Sequence, residues 1–199
     1  MNVWNERYAS EEYHFGTEPN AFLLSQRNRL KPSMHCLAVA DGEGRNGVWL
    51  AEQGLNVLSV DSSSVAVSKA RALAQQRGVT MDVELADLAV WKWGVDRFDV
   101  VAAIFIQFAP PAQREQMFGH IKQCLKPGGL LLLQGYTPRQ LEYRTGGPSQ
   151  IDNLYTEAML RTAFADMDIL HLQEHDDIIY EGAGHSGMSA LIDVVARKI

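Results

Sequence analysis

The sequence predicts an α/β fold: a doubly wound, seven-stranded, mostly parallel sheet with one antiparallel strand near the C-terminus. Three observations predict it. Apolar runs of strand length alternate with segments of helical spacing along most of the chain. The stretch 36–62, CLAVADGEGRNGVWLAEQGLNVLSVDS, reads as strand, glycine turn, helix, strand and acid, the opening of a nucleotide-binding sheet. The run FDVVAAIF at 98–105 is apolar almost throughout, as a strand covered on both faces requires.

Each element has its local reason. Residues 3–30 hold Trp4/Tyr8 and Tyr13/Phe15 around a turn at 16–19, and Asn20 can cap a helix bearing Phe22, Leu23 and Leu24. This leader has no place in the sheet. The expectation is a single domain over 1–199 in which 1–32 forms a lid-like segment. A strand at 36–40 and a helix at 45–53, ended by Gly54, lead to a strand at 56–60. Ser62 or Ser63 caps a helix at 63–77, which Gly78 ends. The strand 80–85 runs into Asp87, and the buried strand 98–105 is broken at 107–111. A helix at 112–125, a strand at 130–133, a long loop through Gly146-Gly147-Pro148, a helix at 156–165 and a strand at 168–174 follow. A glycine-rich loop, GAGHSG, precedes the last strand at 188–196. The two final strands can form a hairpin.

Composition narrows the function. Apolar residues make up 46% of the 199, enough for a full core. A formal charge of -6 argues against a nucleic-acid partner, which needs clustered cations. Cys36 and Cys124 have no paired spacing, so no disulfide framework is expected. No stretch approaches the roughly 20 apolar residues of a membrane span, and the expected location is the cytoplasm, with no membrane partner.

The glycine turn carries the chemistry. Gly42 and Gly44 let the backbone turn sharply and approach a ligand, while the helix behind them aims free N–H groups at it. Asp61, at the tip of the next strand, suits a ribose diol. The plain alternative is a tight strand–helix turn that binds nothing. Gly42, Gly44 and Gly47 satisfy G-x-G-x-x-G, the dinucleotide fingerprint, but Ala40-Asp41-Gly42-Glu43-Gly44 also reads as a degenerate G-x-G-x-G, the S-adenosylmethionine version. Glu43 suits a pyrophosphate poorly.

Further residues separate the two. Trp4-Asn5-Glu6-Arg7-Tyr8, then Tyr13-His14-Phe15-Gly16-Thr17-Glu18-Pro19-Asn20, the turn at 40–46, Val60-Asp61, Asp87-Leu88, the phrase 125–129 (LKPGG), and 134–138 (QGYTP) with 146–148 (GGP) occur in order. This set resembles class I S-adenosylmethionine-dependent methyltransferases, with a Rossmann-like fold. Within them it is similar to the small-molecule group of the tellurite-resistance and thiopurine methyltransferases. The resemblance implies S-adenosyl-L-methionine as cofactor and a small-molecule methyl acceptor of the thiol or chalcogen-oxyanion kind. It implies that Ala40, Asp41, Gly42 and Gly44 pass under the methionine portion and that Asp61 holds the ribose. Ser62 lies beside the adenine, Asp87 and Leu88 contact it, and Ile104 and Phe105 line the methionine side. Tyr13 and Gly16, with Phe15, close over the sulfonium end, where an aromatic face favours a cation. Two departures stand out. Ala38 occupies the place of an acid that many such enzymes carry, and Ala40 that of the first glycine. Asp41 is a substitute for the missing acid, and alanine at 40 is a small change if its backbone angle is ordinary.

Methyl transfer from a sulfonium needs alignment more than acid–base help, and a general base only where the acceptor must lose a proton. No dyad stands at a strand tip. Tyr136, Tyr143 and His185 are the acceptor-side candidates, each weighed against an ordinary packing or turn role. His171 and His175 fall on a strand, too far apart for a shared metal, and no metal is expected. Ala109-Pro110-Pro111-Ala112 lacks the polar and aromatic groups that grip an amino nitrogen in nucleic-acid and protein methyltransferases, and reads as a helix start. Two alternatives remain: a non-catalytic S-adenosylmethionine-binding sensor or partner protein, and an NAD(P)-binding oxidoreductase.

Overall fold

The computed structural model describes residues 3–199; Met1 and Asn2 of the expected lid-like segment lie outside the described residues. Helices α1 (Val3–Arg7) and α2 (Ala21–Ser25) form the leader. The sheet then builds through β1 (His35–Val39), α3 (Arg45–Glu52), β2 (Asn56–Asp61), α4 (Ser64–Arg77), β3 (Asp82–Leu85), β4 (Phe98–Ile104) and α5 (Pro111–Cys124). It finishes with β5 (Leu125–Tyr136), α6 (Gln140–Tyr143), α7 (Glu157–Ala163), β6 (Met167–Glu181) and β7 (His185–Lys198).

Seven strands lie in the order β3-β2-β1-β4-β5-β7-β6. Pairings among β1 to β5 are parallel, and β7 runs antiparallel to both its neighbours. The doubly wound sheet with one antiparallel strand is therefore as the sequence predicts. Each face has its own apolar layer. Leu37, Val39, Val101, Leu131 and Leu133 meet Phe118 and Ile121 of α5 and Leu160 of α7. Cys36, Ala38, Val57, Ala102 and Leu132 meet Trp49 and Leu50 of α3 and Phe22 and Leu23 of the leader. The strict alternation of these two sets along β1 and β4 is the period-2 geometry of a strand buried on both sides.

The caps follow the sequence. Asn20 accepts from the Leu23 N–H at 3.0 Å, and Ser63, not Ser62, accepts from Ala66 at 3.1 Å. Pro111 opens α5, so the prolines do serve as a helix start.

Three boundaries differ from expectation. β5 begins at Leu125 rather than 130 because 126–129 loops out of a ladder that continues on both sides, pairing Phe98 with Leu125 and then Val100 with Leu130. β6 and β7 run to 15 and 14 residues, well past the predicted 168–174 and 188–196. Their ladder extends to Glu181↔His185, so the glycine-rich loop shrinks to a turn at 182–184 and His185 opens a strand. Among the described residues no helix is long and apolar enough to cross a membrane. Cys36 and Cys124 are buried free thiols, and burial pushes both up, Cys124 to about 12.

Candidate active site

A cavity of about 1310 Å³ opens at the carboxyl ends of β1, β2 and β4, between the leader and the β6–β7 turn. Position follows from topology: β1 sits between β2 and β4, so the strand order reverses there and the connections diverge, leaving a crevice.

The near wall is the turn after β1. Ala40, Asp41 and Gly42 line the cavity. Gly42 has φ +60°, and a Cβ there would stand 2.9 Å from the Tyr8 hydroxyl. Gly44 is needed for a different reason. Its Cβ would strike Ala70 at 2.7 Å, so the glycine lets α4 pack against the turn, and it lies behind the lining. Ala40 has φ +48°, a left-handed angle, so the substitution for glycine is not a small one: the backbone carries strain there. Asp41, the substitute for the missing acid, lines the cavity and also braces the turn. Its carboxylate accepts from the Gly47 N–H at 3.2 Å and from the Ser59 hydroxyl at 2.8 Å, capping α3 from within. Burial pushes this carboxyl up to about 7, against the pull of Ser59 and Gly47.

Asp61 lines the floor. Its oxygens accept from the N–H groups of Gly42 and Ser63, both at 2.8 Å, so the acid also ties the first turn to the second. Burial raises its pKa, and these backbone donors oppose the rise. Ser62, Asp87 and Leu88 continue the wall, with Asp87 exposed and accepting from Ala89 N–H at 3.0 Å. Ile104 and Phe105 close the far side of β4.

The opposite end is aromatic. Phe105, itself at φ +54°, stacks on Tyr136 with centroids 4.7 Å apart. His185 sits between Phe15 and Phe105, 4.5 Å from each, and edge-on to Tyr136. Tyr136 Oη and His185 Nδ1 are buried without a hydrogen-bond partner. Behind His185 lies a buried polar chain. Glu181 pairs with Arg45 at 2.6 Å and accepts from Asn20 at 2.9 Å, and Asn20 also donates to Gln134.

Four expected site residues lie outside the lining. Tyr13 faces away because Gly16 N–H closes a turn on Tyr13 C=O; its hydroxyl donates to Lys69 C=O at 3.2 Å, and Phe15 faces the cavity instead. Gly16 packs against Gly182 of the hairpin turn. Gly44 supports α4, as above. Tyr143 is half-buried on α6 and donates to Asp176 at 2.9 Å. Sequence reasoning missed Tyr8, Arg45, Glu181 and the anchoring role of Glu43. Tyr8, Glu43 and Arg45 lie inside the quoted motifs 4–8 and 40–46, which carried a local signal; Glu181 meets the site through contacts far apart in sequence. Glu43 binds the His14 N–H at 2.7 Å and pairs with Lys69 at 2.7 Å, pinning the leader to the turn. Among the described residues no group of His, Cys, Asp and Glu could hold a metal.

Strand order and cavity position match the Rossmann-like methyltransferase fold. Residues 36–129 match the family described as a methyltransferase domain, Methyltransf_25, and solved structures of this fold include S-adenosylmethionine-dependent methyltransferases, one with bound SAH. The chain is similar to the ubiquinone biosynthesis O-methyltransferase of Coxiella burnetii, 26% identical over 129 residues, which cover 64% of this chain and 54% of that protein. It spans about half the length, or less, of the curated relatives it matches. Among solved structures, one concerned with conversion of a disulfide bond into a thioacetal group during echinomycin biosynthesis superposes with TM-score 0.76 at 18% identity, covering 98% of this chain and 88% of that one. TehB from Haemophilus influenzae superposes with TM-score 0.73 at 16% identity, covering 100% and 66%. The residues present fit the cofactor: two strand-tip acids for hydroxyl and amino donors, a turn that Gly42 keeps open, and an apolar, aromatic end suited to a sulfonium.

Proposed function

We propose that the chain is an S-adenosylmethionine-dependent methyltransferase acting on a small molecule, with a thiol or chalcogen oxyanion as acceptor. The observation that carries this reading is a single cavity with two unlike ends. One end holds Asp61, Ser62, Asp87 and Leu88, the other Phe15, Phe105, Tyr136 and His185. Asp61 accepts from the ribose hydroxyls and Asp87 from the adenine amino group, while Ala40 to Gly42 pass under the methionine portion. The aromatic faces favour the positive sulfonium. Bound there, the cofactor supplies an activated methyl group. The chain supplies alignment, worth up to about 7–11 kcal/mol when the acceptor is held in line. Placement within the tellurite-resistance and thiopurine group is supported by the ordered N-terminal signature and the likeness to TehB. A sulfur acceptor is supported by the likeness to the thioacetal-forming system.

Calorimetric titration with S-adenosylhomocysteine, and in parallel with NADH and NADPH, tests the reading. Binding in roughly the micromolar range by the first alone is expected, followed by label transfer to thiols, selenite or tellurite. Binding of NADH instead overturns it, and binding without turnover on any acceptor favours the sensor.

A further inference from the structure

Glu181 and His185 stand at the end of the β6–β7 ladder, opposite one another across the turn. Neither end of this pair is free to wander. The Glu181 oxygens are held by Arg45 at 2.6 Å and Asn20 at 2.9 Å, both buried. The His185 ring is boxed by Phe15, Phe105 and Tyr136. Gly146 closes the box, since a Cβ there would stand 3.2 Å from His185 Cδ2 and 3.1 Å from Tyr136 Oη. His185 is 8% exposed, lines the cavity, and has its Nδ1 3.7 Å from Glu181 Oε2 with no hydrogen-bond partner. A buried imidazole nitrogen facing a fixed carboxylate is the arrangement that selects the Nδ1–H tautomer and leaves the lone pair on Nε2.

We propose that Glu181 is a positioning residue that holds His185 as the base for a thiol acceptor. The proposal rests on the methyltransferase reading above and deepens it. The acceptor's S–H proton passes to His185 Nε2. The sulfur pair thus freed forms the new S–CH₃ bond, and the pair of the breaking bond stays on the donor sulfur as a neutral thioether. The positive charge ends on the imidazolium, facing Glu181. Catalytic hydrogen bonds are often long before substrate binds, and 3.7 Å is such a separation.

The charged and titratable groups that face the ring set its protonation. Burial lowers the His185 pKa first; Glu181 on β6 opposes this, and Arg45 on α3 and His14 in the leader reinforce it. Tyr136 on β5 is neutral, its hydroxyl pushed up by burial. His185 is therefore uncharged near pH 7 and able to take a proton. Burial alone would raise Glu181, but His185 and Arg45 bring it down to about 2, so it stays anionic. An imidazole matches a thiol, whose ordinary pKa is about 8.5, far better than an aliphatic alcohol. An oxyanion acceptor already has its pair available and gives this dyad nothing to do.

The test uses the full chain with ¹⁵N-labelled histidine and no added ligand. The neutral His185 of the wild type is expected as the Nδ1–H tautomer, and its titration midpoint is expected to fall in E181Q. With a thiol acceptor, H185Q is expected to lose roughly 100-fold or more in methylation rate at pH 7. That deficit should shrink as pH rises past the thiol's own pKa. An Nε2–H tautomer in the wild type overturns the proposal, as does an H185Q rate profile equal to wild type. Should E181Q not fold, the wild-type tautomer decides alone. Failure of the wild type to bind S-adenosylhomocysteine overturns the methyltransferase reading instead, and the tautomer measurement keeps the two failures apart.

Discussion

Two left-handed residues flank the cavity where the sheet gives way to the ligand: Ala40 at φ +48° and Phe105 at φ +54°. Such angles raise the energy of an L-residue by about 1–2 kcal/mol. At Phe105 the angle turns the ring onto Tyr136 and His185. At Ala40 nothing but the turn requires it, so A40G is expected to stabilise the protein by up to about 1 kcal/mol after the extra chain entropy of glycine is subtracted; a urea midpoint measures it. Asp41 gives a pH signature. Its folded-state pKa is raised to about 7 by burial, so the stability it contributes is present below the ordinary carboxylate range and is lost as pH rises through 7. D41N, whose amide can replace the protonated acid, is expected to flatten that decline between pH 4 and 8 in denaturation at fixed temperature. Asp61 holds the turn through Gly42 and Ser63 and, in the proposed function, also the ribose. Charge-assisted hydrogen bonds contribute about 1.5–3 kcal/mol each. D61A is therefore expected to weaken S-adenosylhomocysteine binding at least 10-fold by calorimetry.

The leader and the β6–β7 hairpin are the elements that wall the crevice at its end, and they touch each other. Gly182, at φ +66°, lies so close beneath His14 C=O and Gly16 N–H that any Cβ would collide with them. G182A is expected to lift the hairpin turn from the leader, destabilise the fold by a few kcal/mol, on the order of an overpacked core site, and loosen His185. Faster amide exchange at 14–16 would report it. Glu43 anchors the leader from the other side through the His14 N–H and Lys69. E43Q leaves Lys69 without its carboxylate and should speed exchange in the same segment, by an amount below the 3–5 kcal/mol of a fully buried pair because Lys69 is partly exposed. An extended hairpin is also why His185 faces the cavity at all: the ladder to Glu181↔His185 aims it inward, where a flexible loop would let it turn to solvent.

At the scale of the whole molecule, a ligand that seats across both ends of the cavity should stiffen the fold as one unit. At 100 times its Kd, S-adenosylhomocysteine adds about 2.7 kcal/mol. For a chain of this size that amounts to a rise of about 5–10 °C in Tm, read by calorimetry, and NADH should leave Tm unchanged. The two apolar layers are both closed by α-helices, so the sheet between them is a rigid platform. The cavity is bounded by what crosses its end, namely the leader, the long β5–α7 connection and the hairpin turn.

The sheet was legible from the chain alone because its determinants are local. Period-2 burial in β1 and β4, Asn20 and Ser63 at helix starts, Gly54 and Gly78 at helix ends, and the spacing from Gly42 to Asp61 are all short-range regularities. The near half of the cavity followed with them, since Ala40, Gly42, Asp61 and Asp87 stand at strand tips that the alternation itself locates. The far half did not. Whether Tyr13 or Phe15 faces inward depends on a turn sealed by Glu43 and Lys69, and the pairing of Glu181 with Arg45 joins residues 136 apart in sequence. That Ser59 and the amide of Gly47 hold Asp41 was equally hidden in the chain. Side-chain direction in these places is set by which distant element arrives to compete for the same hydrogen bond, and only the folded chain brings those competitors together.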